Sequence, residues 1–211
     1  MKKIFIGALI SCLATFAVAD GLDSAYVGMG VGMSNLTDPT AHTGTSQPGF
    51  KAFVGYDVAD WMQMEASFYS VGFNKFGKNY TVDMGSTAGD YNAIVSSYAQ
   101  VNNFTVAGKF DWWWVDSFAI YAILGLAMQY NQYNTSAYPK SGSVVGRTTQ
   151  AIGSNSGFQP GLVGGIGAQY NFGRVGLRLE DVYQVSSNNS QTPANGLGSF
   201  NTYGFSLQYH F

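Results

Sequence analysis

The last ten residues of the chain, TYGFSLQYHF, constrain the fold more than any other segment. Every second residue is large and apolar, and the residues between them are small or polar. Strict alternation with a period of two is typical of a β-strand with one apolar and one polar face. Such a strand needs a pairing partner and a cover for its apolar face. The apolar residues are Tyr203, Phe205, Leu207, Tyr209 and Phe211.

The composition favours a membrane as that cover. Charged residues make up 10% of the chain, against roughly 25% in soluble domains, and a lipid-facing surface tolerates few charges. After the N-terminal segment there is no run of 18 or more apolar residues, so spanning helices are not predicted. Two classes of protein remain possible at this point: a secreted globular β protein and a membrane β-barrel.

The first 19 residues have the features of a secretory signal peptide. Lys2 and Lys3 precede the mostly apolar stretch 4–18, and Ala17-Val18-Ala19 is a small-residue cleavage site. This pattern predicts a signal peptide over residues 1–19 and a mature chain over residues 20–211. The mature chain would then form a single domain.

A lipoprotein signal ending at Cys12 is the alternative, because Leu9-Ile10-Ser11-Cys12 resembles a lipobox. The apolar stretch before Cys12 is short, so cleavage after Ala19 is favoured. Cys12 is the only cysteine of the chain, so the mature chain would have no thiol and no disulfide. Its eight basic and twelve acidic residues give a net charge of −4, which argues against nucleic acid as a partner.

Eight segments have strand-like patterns, separated by turn signals. Most are about as long as a tilted membrane strand, roughly 9–11 residues, whereas soluble strands are closer to 5–6 residues. The predicted strands are 24–34, 48–58, 61–72, 99–111, 117–130, 158–171, 174–185 and 199–211.

The connections between these segments alternate in length. Short turns are predicted at Ala59-Asp60, 112–116 and Phe172-Gly173, and long polar connections separate the other strands. Bacterial outer-membrane barrels have this alternation, and lipid requires a sheet to close on itself. The sequence therefore predicts an all-β fold: a closed antiparallel eight-stranded transmembrane β-barrel in the outer membrane of a Gram-negative bacterium. The predicted long loops are 35–47, 73–98, 131–157 and 186–198.

Three consecutive tryptophans, Trp112, Trp113 and Trp114, lie at one predicted short turn. Together with Trp61 and Tyr170 they are interpreted as the periplasmic aromatic girdle, because Trp and Tyr concentrate at membrane interfaces. A buried aromatic cluster and a ligand-binding cluster are the alternatives.

The polar faces of the strands predict the contents of the lumen. Eight strands enclose an interior that side chains just fill, and charges placed there must pair to offset their desolvation. Glu65 is expected to pair with Arg178 or Lys109. The predicted polar network is Lys51, Glu65, Lys109, Arg178 and Glu180, and the other inward residues include Tyr26, Gln63, Tyr121 and Gln169.

Taken in order, the segments AYVGMGVGMS, GFKAFVGYDVADWMQMEASF, DSFAIYAILGLAMQY, GLVGGIGAQYNF and VGLRLEDVYQ look like the strands of a known family. The chain resembles the OmpA-type eight-stranded outer-membrane β-barrels, whose relatives include OmpX-like and opacity-type proteins. The resemblance covers the whole predicted mature chain. The ending YGFSLQYHF resembles the family's C-terminal signal for the outer-membrane assembly machinery, which ends in an aromatic residue.

The resemblance also implies an interior salt-bridge gate, of which Glu65, Lys109 and Arg178 keep the charged character. Ile123 and Gly167 stand where the family has an interior Arg and an interior Glu, so this gate is expected only in part. The peptidoglycan-binding domain of OmpA itself is not expected, because the chain ends at Phe211.

Three classes of function follow from these observations. The first is a plugged barrel that supports the envelope or binds host or environmental surfaces through its loops, which contain Tyr80, Tyr91, Tyr98, Tyr133 and Tyr138. The second is a small, low-conductance channel. The third, an outer-membrane enzyme, is not favoured.

The histidines argue against an enzyme. Only His42 and His210 follow the predicted signal peptide, and they lie at opposite ends of the predicted barrel. No serine, histidine and aspartate grouping is indicated, and no histidine or cysteine cluster has metal-ligand spacing. Neither a metal nor a cofactor is expected. The expected partners are outer-membrane lipid, the assembly machinery and surface ligands of the loops.

Overall fold

The computed structural model describes residues 24–37, 44–82, 91–115, 117–139, 150–186 and 199–211. The predicted signal peptide and His42 lie outside these residues. Eight antiparallel strands form a closed barrel, which confirms the predicted fold class. Within the described ranges, no helix has the length and apolarity needed to cross a membrane. The strands are β1 (Ala25–Thr37), β2 (Gly44–Ala59), β3 (Met62–Val82), β4 (Tyr91–Val115), β5 (Phe118–Pro139), β6 (Gln150–Phe172), β7 (Val175–Ser186) and β8 (Phe200–His210).

The first and last strands pair directly and close the barrel. Their register runs from Tyr26 opposite His210 to Asn35 opposite Asn201. The backbone amide of Phe211 donates to the carbonyl of Ala25 at 3.1 Å. An unpaired strand edge would leave backbone groups unsatisfied in lipid, at several kcal/mol for each group. The apolar ending of the chain is therefore explained by its place in a closed sheet.

Six strands are longer than the sequence pattern predicts. β1 continues to Thr37 and β2 begins at Gly44, so both extend into the predicted loop 35–47. Residues 73–98 and 131–157 were expected as loops, but β3 continues to Val82, β4 begins at Tyr91, β5 continues to Pro139 and β6 begins at Gln150. Alternation of apolar and polar residues is required only where one face contacts lipid. Backbone pairing can continue beyond the lipid without it, so the pattern ends before the strands do. The side chains of the five loop tyrosines lie outside the described residues.

The short turns also differ slightly from prediction. β4 continues through the three tryptophans to Val115, and a bulge between Asp111 and Trp113 leaves Trp112 without a cross-strand partner. The turn between β6 and β7 begins at Gly173, whose φ is 62°. Glycine adopts this left-handed conformation without the steric cost that a Cβ atom would add.

The two faces of the wall differ in chemistry. The outer face carries aliphatic and aromatic side chains, of which Leu124 and Leu126 are each 66% exposed. The inner face carries most of the buried polar and charged side chains, together with two small apolar clusters, so the wall has the apolar exterior and polar interior of a membrane barrel. Other exposed apolar residues are Val27, Met29, Val31, Phe50, Val106, Leu162, Ile166, Leu179, Phe205 and Leu207.

Inward-facing aromatic rings lie over glycines of neighbouring strands. Tyr26 is directly opposite Gly55, and Tyr121 is directly opposite Gly167. A Cβ atom added at Gly167 would lie 2.4 Å from Cζ of Tyr121, and one added at Gly55 would lie 2.0 Å from Cζ of Tyr26. The missing side chains therefore let bulky rings fill a narrow lumen without clashing with the wall.

We predict that Gly167→Ala destabilises the barrel by about 1–3 kcal/mol, because the new methyl group overpacks against the Tyr121 ring. Gly157→Ala is the matched control in the same strand, since nothing lies within 4 Å of a Cβ atom added there. Urea unfolding of the refolded protein measures both variants. Equal stability of the two variants would contradict the close packing of Tyr121 on Gly167.

Candidate functional site: the charged lumen

Ion pairs span the lumen between opposite walls. Glu65 in β3 faces Arg178 in β7, and Arg178 Nη1 donates to Glu65 Oε2 at 2.7 Å. Glu180 in β7 is the second carboxylate of this layer. Lys51 in β2 pairs with both carboxylates, because its Nζ lies 3.0 Å from Glu65 Oε1 and 2.6 Å from Glu180 Oε2. β3 and β7 lie half a turn apart in the strand order. These pairs therefore cross the middle of the barrel.

Neutral side chains supply further hydrogen bonds to this charged layer. The Tyr121 hydroxyl donates to Glu180 Oε1 at 2.9 Å, and the Tyr26 hydroxyl donates to Glu65 Oε2 at 3.4 Å. Arg178 Nε donates to Gln169 Oε1 at 3.0 Å. Buried charges are tolerated better when their remaining donors and acceptors have partners. The tyrosines and Gln169 supply several of these, whereas Arg178 Nη2 has no hydrogen-bond partner among the described residues.

Lys109 belongs to the layer but has a different environment. Its Nζ lies 4.0 Å from Glu65 Oε2, is buried, and has no hydrogen-bond partner among the described residues. The same ammonium lies 3.9 Å from the centroid of the Tyr121 ring. Cation–π attraction strengthens when the cation is desolvated, so the ring partly replaces the missing hydrogen bonds.

Arg178 also lies against aromatic rings. Its guanidinium carbon is 4.6 Å from the Phe53 ring centroid and 4.9 Å from the Tyr26 ring centroid. The Arg178 side chain is 0% exposed and the Glu65 side chain is 6% exposed. The structure thus brings together all five residues of the predicted network, with Arg178 and Glu65 at its centre.

A second polar layer, which the sequence reasoning missed, crosses the lumen nearer to the extended ends of the strands. Asn103 in β4 donates to Gln184 in β7, and Gln184 donates to Gln129 in β5 at 3.2 Å. Gln129 donates to Asn131 at 2.6 Å, and Asn131 donates to Gln159 in β6 at 3.2 Å. All five amides occupy inward positions of their strands. The alternation of inward and outward residues along each strand was therefore the signal from which this layer could have been predicted.

An internal cavity of about 60 Å³ lies between the charged layer and the amide layer. Lys51, Glu65 and Lys109 line one side, and Asn103 and Gln184 line the other. Each water needs roughly 10–15 Å³ of such volume, so a few ordered waters fit. An apolar cluster of Tyr69, Val71, Val101 and Phe200 narrows the lumen further.

The two positions that depart from the OmpA-type gate serve packing. Ile123 is 8% exposed and belongs to an apolar cluster with Ala107, Ala127 and Val163. Gly167 lies under the Tyr121 ring. An additional Arg or Glu at these positions would have to displace side chains that already fill the lumen.

Three of the five predicted girdle residues have exposed side chains at the short-turn end of the barrel. Trp61, Tyr170 and Trp112 are 59%, 45% and 87% exposed. The backbones of Trp113 and Trp114 pair with Ile120 and Ala119, and their side chains lie outside the described residues. The apolar residues of the C-terminal segment also face outward, with exposed fractions of 41–50% for Tyr203, Phe205, Leu207, Tyr209 and Phe211.

Comparison with known protein families matches residues 5–211 to the outer membrane protein beta-barrel domain. The chain belongs to this family. Family membership and the closed eight-stranded barrel together indicate an outer-membrane location. The OmpA-type resemblance seen in the sequence is confirmed at this level. A search of curated protein sequences finds no match.

Solved structures share the fold at low sequence identity. Ail, the attachment invasion locus protein of Yersinia pestis, is 13% identical with a TM-score of 0.52, covering 90% of this chain and 99% of Ail. A major outer membrane protein from Thermus thermophilus is 10% identical with a TM-score of 0.58, covering 89% of this chain and 98% of that protein. Identities this low establish the barrel fold alone.

We predict strong energetic coupling between Glu65 and Arg178 in a double-mutant cycle. Glu65→Gln or Arg178→Met alone should each cost about 3–5 kcal/mol, because the remaining charge is buried without its partner. The double variant should lose less than the sum of the two single losses by about 1–3 kcal/mol. Urea unfolding of refolded protein measures all four forms.

The control cycle combines Glu65→Gln with Leu126→Ala, since Leu126 lies on the outer face and shares no partner with Glu65. These two changes should be additive within about 0.5 kcal/mol. Additive losses for Glu65 and Arg178 would show that the ion pair does not form.

Proposed function

We propose that this outer-membrane barrel has a closed lumen and acts as a structural and surface-binding protein of the cell envelope. The single observation that carries the proposal is the pair of ion bridges that cross the lumen, from Glu65 to Arg178 and from Lys51 to Glu180. A solute moving along the barrel axis would have to break them.

The energetics support a closed state. Separating a buried ion pair costs about 3–5 kcal/mol when nothing replaces the lost partner. The amide layer above adds a second barrier, because Gln184 bonds to both Asn103 and Gln129 across the barrel. The lumen therefore contributes to the rigidity of the barrel, and specific recognition falls to the extracellular segments.

A small, low-conductance channel is the second candidate, and the cavity beside Lys51, Glu65 and Lys109 favours it. A hydrated space next to charged side chains could become continuous if the bridges rearranged. We do not propose an enzymatic activity. The described ranges contain no group of three His, Cys, Asp or Glu residues placed to hold a metal, and no serine nucleophile is paired with a histidine in the contacts found there.

We further propose that the signal peptide is cleaved after Ala19 and that the assembly machinery recognises the alternating segment ending at Phe211. The apolar side chains of this segment face outward, and its backbone pairs with β1. Both features support recognition of this strand by the assembly machinery before the barrel closes. We propose that outer-membrane lipid contacts the outer face of the barrel and its aromatic girdle.

For the surface ligand we propose anionic glycans. The segment between β5 and β6, residues 140–149, contains Lys140 and Arg147 and no acidic residue. The structurally similar Ail has been solved in complex with the heparin analogue sucrose octasulfate, at 14% identity and a TM-score of 0.52. Attraction between basic side chains and sulfate groups would be screened by salt.

Planar-bilayer recording of the refolded protein tests the closed lumen. We expect no steady single-channel steps from wild-type protein. Steps should appear in the triple variant Glu65→Ala/Arg178→Ala/Gln184→Ala, because removing these side chains opens the centre of both the charged layer and the amide layer. Leu126→Ala, on the outer face, should stay closed. Steady steps from wild-type protein that change in Glu65→Ala would instead establish the channel.

Heparin-affinity chromatography tests the glycan proposal. We expect the refolded wild-type protein to bind heparin at low salt and to elute earlier after Lys140→Gln/Arg147→Gln. Lys75→Gln/Lys78→Gln in β3 removes the same amount of charge and is the matched control, which should elute like wild type. Equally early elution of both variants, or no heparin binding by the wild-type protein, would contradict a glycan site between β5 and β6.

A further inference from the structure

One charged side chain lies on the outer surface of the barrel. Asp181 in β7 follows the inward Glu180. Its neighbours along the outward row of β7 are Leu179 and Tyr183, which are 62% and 50% exposed. Successive side chains of a strand point to opposite faces, so the Asp181 side chain points away from the lumen. The outward apolar residues of the eight strands form a lipid-facing band, and among its described positions Asp181 is the only charged residue.

Asp181 lies deep within this band. It is directly opposite Ile166 in β6, which is the fifth of eight outward residues in the range Phe158–Phe172. Val185, the last outward residue of β7, lies four residues nearer the extracellular end. Four residues span about 13 Å along a strand, or about 10 Å of depth at a tilt of about 40°. Long lysine and arginine side chains can reach water from within a membrane, but an aspartate side chain is too short.

The described part of the monomer gives this carboxylate no partner. Asp181 has no hydrogen bond or ion pair with another described residue, and the same is true of the Tyr203 hydroxyl. Tyr203 in β8 is directly opposite Asp181. An open groove of about 850 Å³ lies beside both side chains, and Ile166, Leu179 and Phe205 contribute to its lining. An ionisable side chain within a membrane normally has a partner and marks a functional contact.

We propose that Asp181 lies at the centre of a contact between two copies of this chain, formed by the outer faces of β7 and β8. All copies insert in one orientation, so the two-fold axis of a dimer is parallel to the membrane normal and each residue meets residues near its own depth. With the axis between β7 and β8, β7 of each copy faces β8 of the other. The Tyr203 hydroxyl of one copy then donates to the Asp181 carboxylate of the other, and the same bond forms a second time.

The rest of this face suits the same arrangement. Leu179 is directly opposite Phe205, and Leu177 is directly opposite Leu207. Apolar pairs therefore continue the contact on the short-turn side of Asp181. A two-fold contact needs a self-complementary surface, and an acceptor beside a donor of nearly equal depth provides one.

A different membrane protein with a lysine or arginine at this depth is the competing occupant of the groove. The second copy is favoured because it supplies a donor at the required depth, and because every copy lies in the same membrane. The contact involves only the outer face, so it goes beyond the closed lumen and does not depend on it.

Sedimentation equilibrium of the refolded protein in a density-matched detergent tests the dimer. We expect wild-type protein to reach the mass of two chains as the ratio of protein to detergent rises. Tyr203→Phe removes only the donor and Asp181→Leu removes the acceptor. Each should raise the dimer dissociation constant by about tenfold or more, because a hydrogen bond to a carboxylate is lost twice in each dimer. Tyr130→Phe, in the outward row of β5, is the matched control and should dissociate like wild type.

Urea unfolding of dilute, monomeric protein separates a contact between copies from a role in folding. Asp181→Leu places an apolar side chain in lipid, so its monomer should unfold at a higher urea concentration than the wild-type monomer. Lower stability of this monomer, or unchanged dimerisation of Asp181→Leu, would overturn the proposal. Weakening by Tyr130→Phe equal to that by Tyr203→Phe would do the same.

Cross-linking in intact cells gives a readout that needs no detergent. Val185→Cys, in the outward row of β7, should yield dimers of this chain with a membrane-permeant bis-maleimide. Ser70→Cys, in the outward row of β3 and half a turn away in the strand order, should not. Monomeric wild-type protein at every ratio of protein to detergent, or cross-linking of Val185→Cys only to a different protein, would overturn the contact between copies.

Discussion

The backbone pairing of the first strand with the last is the constraint on which the rest of the structure depends. In lipid, no water satisfies an open strand edge, so the sheet must close. With eight strands the closed sheet surrounds a lumen that side chains can just fill. Side chains from opposite walls then reach one another. The ion pair between Glu65 and Arg178 is possible because closure brings β3 and β7 within reach.

The narrow lumen explains its unusual mixture of residues. Charged side chains pair across it, aromatic rings cover the cations, and glycines make room for the rings. Tyr121 links these features, because its hydroxyl donates to Glu180 and its ring lies against Lys109 and packs on Gly167. Such a layer is stable only as a unit, since the removal of one partner leaves another buried without compensation.

Alternation along the strands predicted much of this structure. It predicted the closed barrel, the lipid-facing rows and the inward positions of Glu65 and Arg178, because lipid imposes a period of two on every strand that it contacts. It did not predict the amide layer. Gln184 and Gln129 form a hydrogen bond across the lumen, and alternation shows which side chains point inward but not which of them meet. The strand ends beyond the lipid were missed because water imposes no such period.

The longer strands leave shorter connections between them, and shorter connections cost less entropy to close. Only eight residues separate β3 from β4 and ten separate β5 from β6, where much longer loops were expected. The entropic cost of closing a loop grows with the logarithm of its length, so shortening a loop about threefold lowers this cost by about 1 kcal/mol. In the sequence, Lys140 and Arg147 fall within the ten residues that connect β5 to β6. Glycan binding as proposed for this connection would have less chain entropy to oppose than binding by a loop of the expected length.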